Sequence, residues 1–167
     1  MDDFALKTRA PASTHKKVVI ELLDRKVLRG YLNPTRLGEL ETLDLLTQKG
    51  EHEAVPSTTV RAVYFVRVLE DDFSPERKSF LSRPKLHGLW VKLRFRDQET
   101  LEGVIPNDLL AYADKGLQIT PPDLNSNADR IYVPRTALSE LTVLGVVGIA
   151  RRKPAAASDE QPRLFTE

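Results

Sequence analysis

The residues able to do chemistry are few and scattered. His15, His52 and His87 are the chain's three histidines, and no pair of them has the spacing of metal ligands on one helix or hairpin. They are expected to be separate surface side chains. Asp24 and Asp97 are carboxylates for acid–base work, yet no nucleophile or base lies near either in sequence. Each sits where a turn is expected, and an aspartate there bonds its own backbone. Gly88, Gly103 and Gly116 are isolated, so no glycine-rich loop is available to cradle a phosphate. With no cysteine, thiolate chemistry and disulfides are excluded. Lys92, Arg94 and Arg96 alternate, which places three cations on one face of a strand. Arg135 is a further cation in a second turn. Such a stripe is chemistry for phosphates, although charged residues alternating along a strand are more commonly a plain solvent face. The expectation is a non-enzymatic chain without cofactor or metal.

Most of these residues belong to a segment written twice. Val18–Leu32 (VVIELLDRKVLRGYL) aligns without a gap with Val91–Ile105 (VKLRFRDQETLEGVI). The offset is 73 residues (97 − 24), which matches Asp24 with Asp97 and Gly30 with Gly103. Val18, Ile20 and Leu22 alternate with their neighbours, as do Val91, Leu93 and Phe95, the period of a half-buried strand. A polar turn follows, and the chain returns as a second strand whose glycine marks a bend or a close backbone approach. Thr42–Gln48 and Lys115–Pro121 keep the same offset and read as a third strand. The offset then grows to 78 (134 − 56), with Val55-Pro56 matching Val133-Pro134 ahead of a last apolar strand. The five extra residues are placed between the third and fourth strands of the second copy.

This unit resembles the Sm-like fold, particularly its Hfq type. The likeness lies in VVIELLDRKVLRGYL, with Asp24, Leu28 and Gly30, and in the Val-Pro step into a final strand. It covers roughly Lys17–Arg67 and Leu89–Leu144. The second copy, with GLWVKLRFRD and YVPRTAL, also resembles a bacterial family of such domains that brings no function with it. The resemblance implies an all-β chain of two tandem Sm-like or SH3-like five-stranded barrels. It also implies RNA as a ligand, held in the Hfq type by a Tyr-Lys-His triplet before the last strand. Here those positions are Pro56-Ser57-Thr58 and Pro134-Arg135-Thr136, which leaves Arg135 and the Lys92, Arg94, Arg96 stripe as candidate nucleic-acid contacts and provides no stacking platform. Arg25-Lys26-Val27-Leu28-Arg29 spells the RxxxR of PilZ domains, but it spans a hairpin turn and has no companion motif. Near the end, Gln161-Pro162-Arg163-Leu164-Phe165 resembles the peptide that docks on bacterial sliding clamps, through Gln161, Leu164 and Phe165.

The expected organisation is an arm at 1–16, a first repeat at 17–70, a linker with a short helix at 71–88, a second repeat at 89–149 and a solvated tail at 150–167. Ser74-Pro75 supplies the helix start and Arg83-Pro84 its stop. Charge is balanced, 25 basic residues against 24 acidic, which gives no general attraction to nucleic acid or an anionic membrane. No apolar run reaches transmembrane length, and a cytoplasmic location is expected. Units of this size bury little alone. The two are therefore expected to associate through their last two strands, within the chain or between chains. The function expected is a binding or assembly module with a protein partner or itself, with a weak RNA binder and a sliding-clamp-associated factor as alternatives.

Overall fold

The computed structural model describes residues 14–69, 77–108, 110, 116–123 and 125–149. The described chain is all-β. Its strands are β1 (Lys16–Leu22), β2 (Val27–Leu32), β3 (Thr42–Thr47), β4 (His52–Pro56), β5 (Val60–Val66), β6 (Gly88–Phe95), β7 (Thr100–Ile105), β8 (Gly116–Ile119), β9 (Ala128–Pro134) and β10 (Leu138–Val147). One antiparallel sheet has the order β4-β3-β2-β1-β5-β9-β8, and a second has β10-β6-β7. Neither closes into a barrel. The sheets touch at Val104 and Thr120, whose amides and carbonyls exchange bonds of 3.0 and 2.9 Å.

The duplicated hairpins form by the same local physics. The Asp24 carboxylate accepts from the Lys26 amide and the Asp97 carboxylate from the Glu99 amide, each at 3.0 Å. Between them Arg25 and Gln98 occupy the left-handed region, at φ 70° and 72°, as a three-residue hairpin loop ending in one left-handed residue requires. The returning glycines permit close approach. A Cβ on Gly30 would lie 2.2 Å from the Leu46 carbonyl oxygen, and one on Gly103 would lie 3.0 Å from Ile119 and 3.2 Å from the Thr120 oxygen. Both Val-Pro steps lead into a single 3₁₀ turn, Ser57–Thr59 after Pro56 and Arg135–Ala137 after Pro134.

Two sequence expectations need correction. Thr42 pairs with Pro56 and Gly116 with Pro134, so the third strands correspond at an offset of 74 (116 − 42), not 73. One extra residue therefore lies between β7 and β8 and four lie between β8 and β9. The apolar alternation itself favours 74, which sets Leu43 against Leu117, Asp44 against Gln118 and Leu45 against Ile119; carrying the hairpin's offset forward hid it. The linker helix is also absent from its described part: residues 77–83 contain no helix. Its expected start at Ser74 lies outside the described residues. The segment is held by side chains instead. The Glu102 carboxylate accepts from the Phe80 amide at 2.9 Å and the Trp90 indole at 3.2 Å, and Phe80 meets Trp90 edge to face.

Strand β5 joins the repeats. It pairs with β1 of its own repeat and with β9, the fourth strand of the other. All seven of its residues are buried. Val60, Val63 and Phe65 face the first core with Val18 and Ile20, while Ala62, Tyr64 and Val66 face the second with Val91 and Leu93. Strand β9 reciprocates: Ile131 and Val133 stay in the second core, and Tyr132 enters the first, with its hydroxyl donating to the Leu37 carbonyl. Gly116 makes room for that ring, since a Cβ there would sit 2.4 Å from the Tyr132 oxygen.

Candidate interaction site

The chemistry of the junction centres on Arg61. Strand β5 bulges opposite Glu21 and Leu22, and Arg61 is the extra residue. A bulge re-aims a side chain, and here it turns a cation from an apolar strand into the seam between the repeats. Its side chain is only 5% exposed, and it donates to Glu21 at 3.2 Å, Asp97 at 3.0 Å and Glu99 at 3.0 Å. The guanidinium carbon also lies 3.9 Å from the centroid of the Phe95 ring. Arg25 joins from outside, 2.6 Å from Glu21, 3.1 Å from Asp97 and 2.6 Å from Glu99, and Lys78 reaches Glu99 at 3.4 Å. Three cations thus meet three carboxylates.

This network is mutually satisfied. Burial disfavours the ionised form of Asp97, but the Arg61 hydrogen bond, the Glu99 amide and both arginine charges outweigh it and hold the carboxyl below the usual range. Burial likewise works against Glu99, and Arg25 and Lys78 overturn it. The Tyr64 phenol is pushed well above its ordinary value, first by burial and then by the Glu21 charge, to which its hydroxyl donates at 3.4 Å. A phenol held neutral and carboxylates held ionised by arginines are poised to keep protons where they are, not to move them.

The other sequence candidates occupy separate places. His15 bonds Thr14 and His52 bonds Asp44. Among the described residues no group of three or more histidines, cysteines, aspartates or glutamates is placed to hold a metal ion. Arg94 pairs with Glu140 at 2.9 Å, and Arg96 donates to the Thr136 carbonyl. Lys92 and Arg135 are exposed. Gln161, Leu164 and Phe165 lie outside the described residues. No described helix is long and apolar enough to cross a membrane. Arg25 of the RxxxR segment is committed to the junction.

A second site becomes visible by applying the repeat to the junction. In the second repeat Phe95 and Leu101 are 2% and 5% exposed, because the β1/β5 face of the first repeat covers them. Their counterparts Leu22 and Leu28 are only partly buried. They open onto a recess of about 400 Å³, lined also by Leu23, Ala54, Val55 and Pro56. It adjoins β4, which has β3 as its one strand partner among the described residues and stands at the edge of the long sheet. Among the described residues, the first repeat therefore offers, unfilled, the place that the second repeat has filled.

The family of unknown function DUF6982 matches residues 14–145. The chain belongs to this family. The match spans both repeats and the seam, so the DUF6982 unit is the whole duplicated arrangement and not one copy. No curated protein and no solved structure matches.

Arg61, Glu21, Glu99, Tyr64 and Tyr132 were not singled out from the sequence. One signal was present for Arg61: a lone cation within VRAVYFV, a strand otherwise apolar on both faces.

Proposed function

We propose that this DUF6982 chain is a non-enzymatic binding or assembly module built from two Sm-like barrel units, and that its working surface is the β4 edge with the Leu22/Leu28 recess. One observation carries this reading. The equivalent edge and recess of the second repeat already bind a strand, β5, together with the apolar face beside it. The strand order β4-β3-β2-β1-β5 in the first repeat supports the barrel reading. In the second repeat, β10-β6-β7 continuing through the Val104–Thr120 bridge to β8-β9 supports it too. Binding by strand addition derives affinity from backbone bonds and selectivity from alternate side-chain pockets, and an edge strand next to an apolar recess provides both. The polar cluster supports a non-catalytic role, because its charges are spent on one another. The ligand is thus a protein strand. RNA is disfavoured because Arg94 and Arg96 already have local partners.

The test uses a peptide of residues 59–67, the segment β9 already accepts, titrated into isotopically labelled full chain. Amide shifts are expected on β4 and around Leu22, Leu28 and Pro56. Saturable shifts elsewhere, or none at all, would remove the reading.

A further inference from the structure

The repeat also says which side chain on the β4 edge reads an incoming strand, and in what state. At the filled junction Phe65 of β5 stands opposite Arg130 of β9. The Arg130 guanidinium lies 4.9 Å from the centroid of the Phe65 ring, and Phe65 is 4% exposed beneath it. Arg130 is held from its other side by Gln118 of β8, to which it donates at 3.3 Å. Gln118 lies diagonally across the ladder, opposite Tyr132. The ring on the incoming strand is thus covered by a cation that the receiving sheet keeps in place.

The same pair of positions recurs on β3 and β4. The offsets of the third and fourth strands carry Gln118 onto Asp44 (118 − 74) and Arg130 onto His52 (130 − 78). Asp44 is diagonal to His52 in the same sense, since it stands opposite Ala54, the counterpart of Tyr132. The His52 Nδ1 lies 3.0 and 3.1 Å from the two Asp44 carboxylate oxygens, and both side chains are exposed. One difference matters. A guanidinium is always charged, whereas an imidazole changes charge between about pH 5 and 8. The neutral Gln118 has become a carboxylate, the natural partner of an imidazolium. Around this pair, among the described residues, Tyr31 stands in the His52 row on β2, beyond Leu46, with Arg29 on the same face. Lys49 and Glu51 lie in the turn before β4, and Glu53 is on its opposite face. Side chains of these four types ordinarily titrate outside the imidazole range.

We propose, building on the reading of β4 as a strand-accepting edge, that its partner is a strand with an aromatic residue opposite His52, and that protonated His52 holds that ring. The partner lays an aliphatic residue opposite Ala54, as Val63 faces Tyr132, and its ring two residues later, as Phe65 faces Arg130. Between them, on the other face, a hydrogen-bond donor suits Glu53, which replaces Ile131. Because the complex favours the charged imidazole, binding takes up a proton and strengthens as pH falls through that range. The edge is a strand receptor whose grip depends on pH, a property the arginine-held junction lacks.

Isothermal titration calorimetry of the full chain with acetylated and amidated peptide 59–67 tests the proposal. Capped in this way, the peptide has no group of its own that titrates in the imidazole range. Affinity is expected to be about two- to fivefold higher at about pH 6 than at about pH 8, the contribution of an exposed cation–π contact. Proton uptake should appear as a binding heat that varies with the ionisation enthalpy of the buffer. His52→Gln should bind weakly at both pH values and His52→Arg tightly at both; the position is exposed, so neither threatens the fold. Phe65→Leu in the peptide should weaken binding near pH 6 and remove its pH dependence. The proposal is overturned if affinity does not rise toward pH 6, or if the rise survives His52→Gln or the leucine peptide. In those cases the strand-accepting edge stands. If the peptide binds at neither pH, both fall.

Discussion

Replacing Arg61 by methionine keeps much of the side-chain volume in the seam and removes the charge. Removing one member of a buried ion network usually costs about 3–5 kcal/mol, and losing a desolvated cation–π contact adds about 1–2. The structure reduces the first figure. Asp97 and Glu99 are 36% and 40% exposed and keep Arg25 at 3.1 and 2.6 Å, so solvent and a second cation compensate. Glu21, at 15% exposed, also keeps Arg25. A net loss of about 2–3 kcal/mol is expected near neutral pH, read from urea unfolding followed by near-ultraviolet circular dichroism. The pH dependence separates a charge effect from a packing effect. Asp97 and Glu99 have folded-state pKa values below the ordinary range, so they contribute stability above their unfolded values, near pH 4. That contribution is lost as pH falls through the folded values. Arg61→Met removes part of the depression of Asp97, so the variant should lose less additional stability on acidification than wild type. The two curves should converge in acid. If they run parallel from neutral pH to acid, or coincide at neutral pH, the guanidinium does not hold the seam.

Other perturbations are graded by local geometry. Gly30→Ala should cost more than Gly103→Ala, roughly 3 against 1 kcal/mol, because the first drives a methyl into a carbonyl oxygen and the second presses on the movable Ile119 side chain; paired thermal melts check the order. Gly116→Ala should displace the Tyr132 ring from the first core, and Tyr132→Ala should destabilise by about 3 kcal/mol while relieving the clash in the double variant, so a double-mutant cycle that is strictly additive would contradict the packing described. Glu102→Ala deprives the indole of Trp90 and the amide of Phe80 of their common acceptor; since the chain has one tryptophan, its emission should shift to the red without loss of β-sheet circular dichroism.

The hairpins were legible because their signals are local. Asp24 and Asp97 cap turns as aspartates do, and Val91, Leu93 and Phe95 alternate with exposed Lys92 and Arg94. The Val-Pro steps were equally readable, since proline fixes where a strand must stop. The junction was not legible, because it depends on which faces of two strands far apart in sequence are covered. Val66 points away from Phe65, a conflict on a single face that is resolved by two cores. Arg61 was unreadable as a partner of Asp97, since a bulge cannot be seen in a run of seven residues. The expectation of association through the last strands named the elements without their register, which backbone pairing alone supplies.

Strand β5 has a further consequence at the time of synthesis. It is complete when residue 66 leaves the ribosome, but the strand that covers its open edge begins at Ala128. Until residues 67–134 have been made, Ala62, Tyr64 and Val66 lack the core they are destined for, and the β5 edge has unmet backbone groups. Closing a segment of that length costs only slightly more entropy than closing a shorter one. What the delay costs is time, during which a nascent chain carries a sticky, seven-residue apolar strand past its neighbours. Slow translation of the second repeat is therefore more hazardous to this protein than slow translation of the first, and the lone arginine within β5 doubles as a gatekeeper against premature pairing.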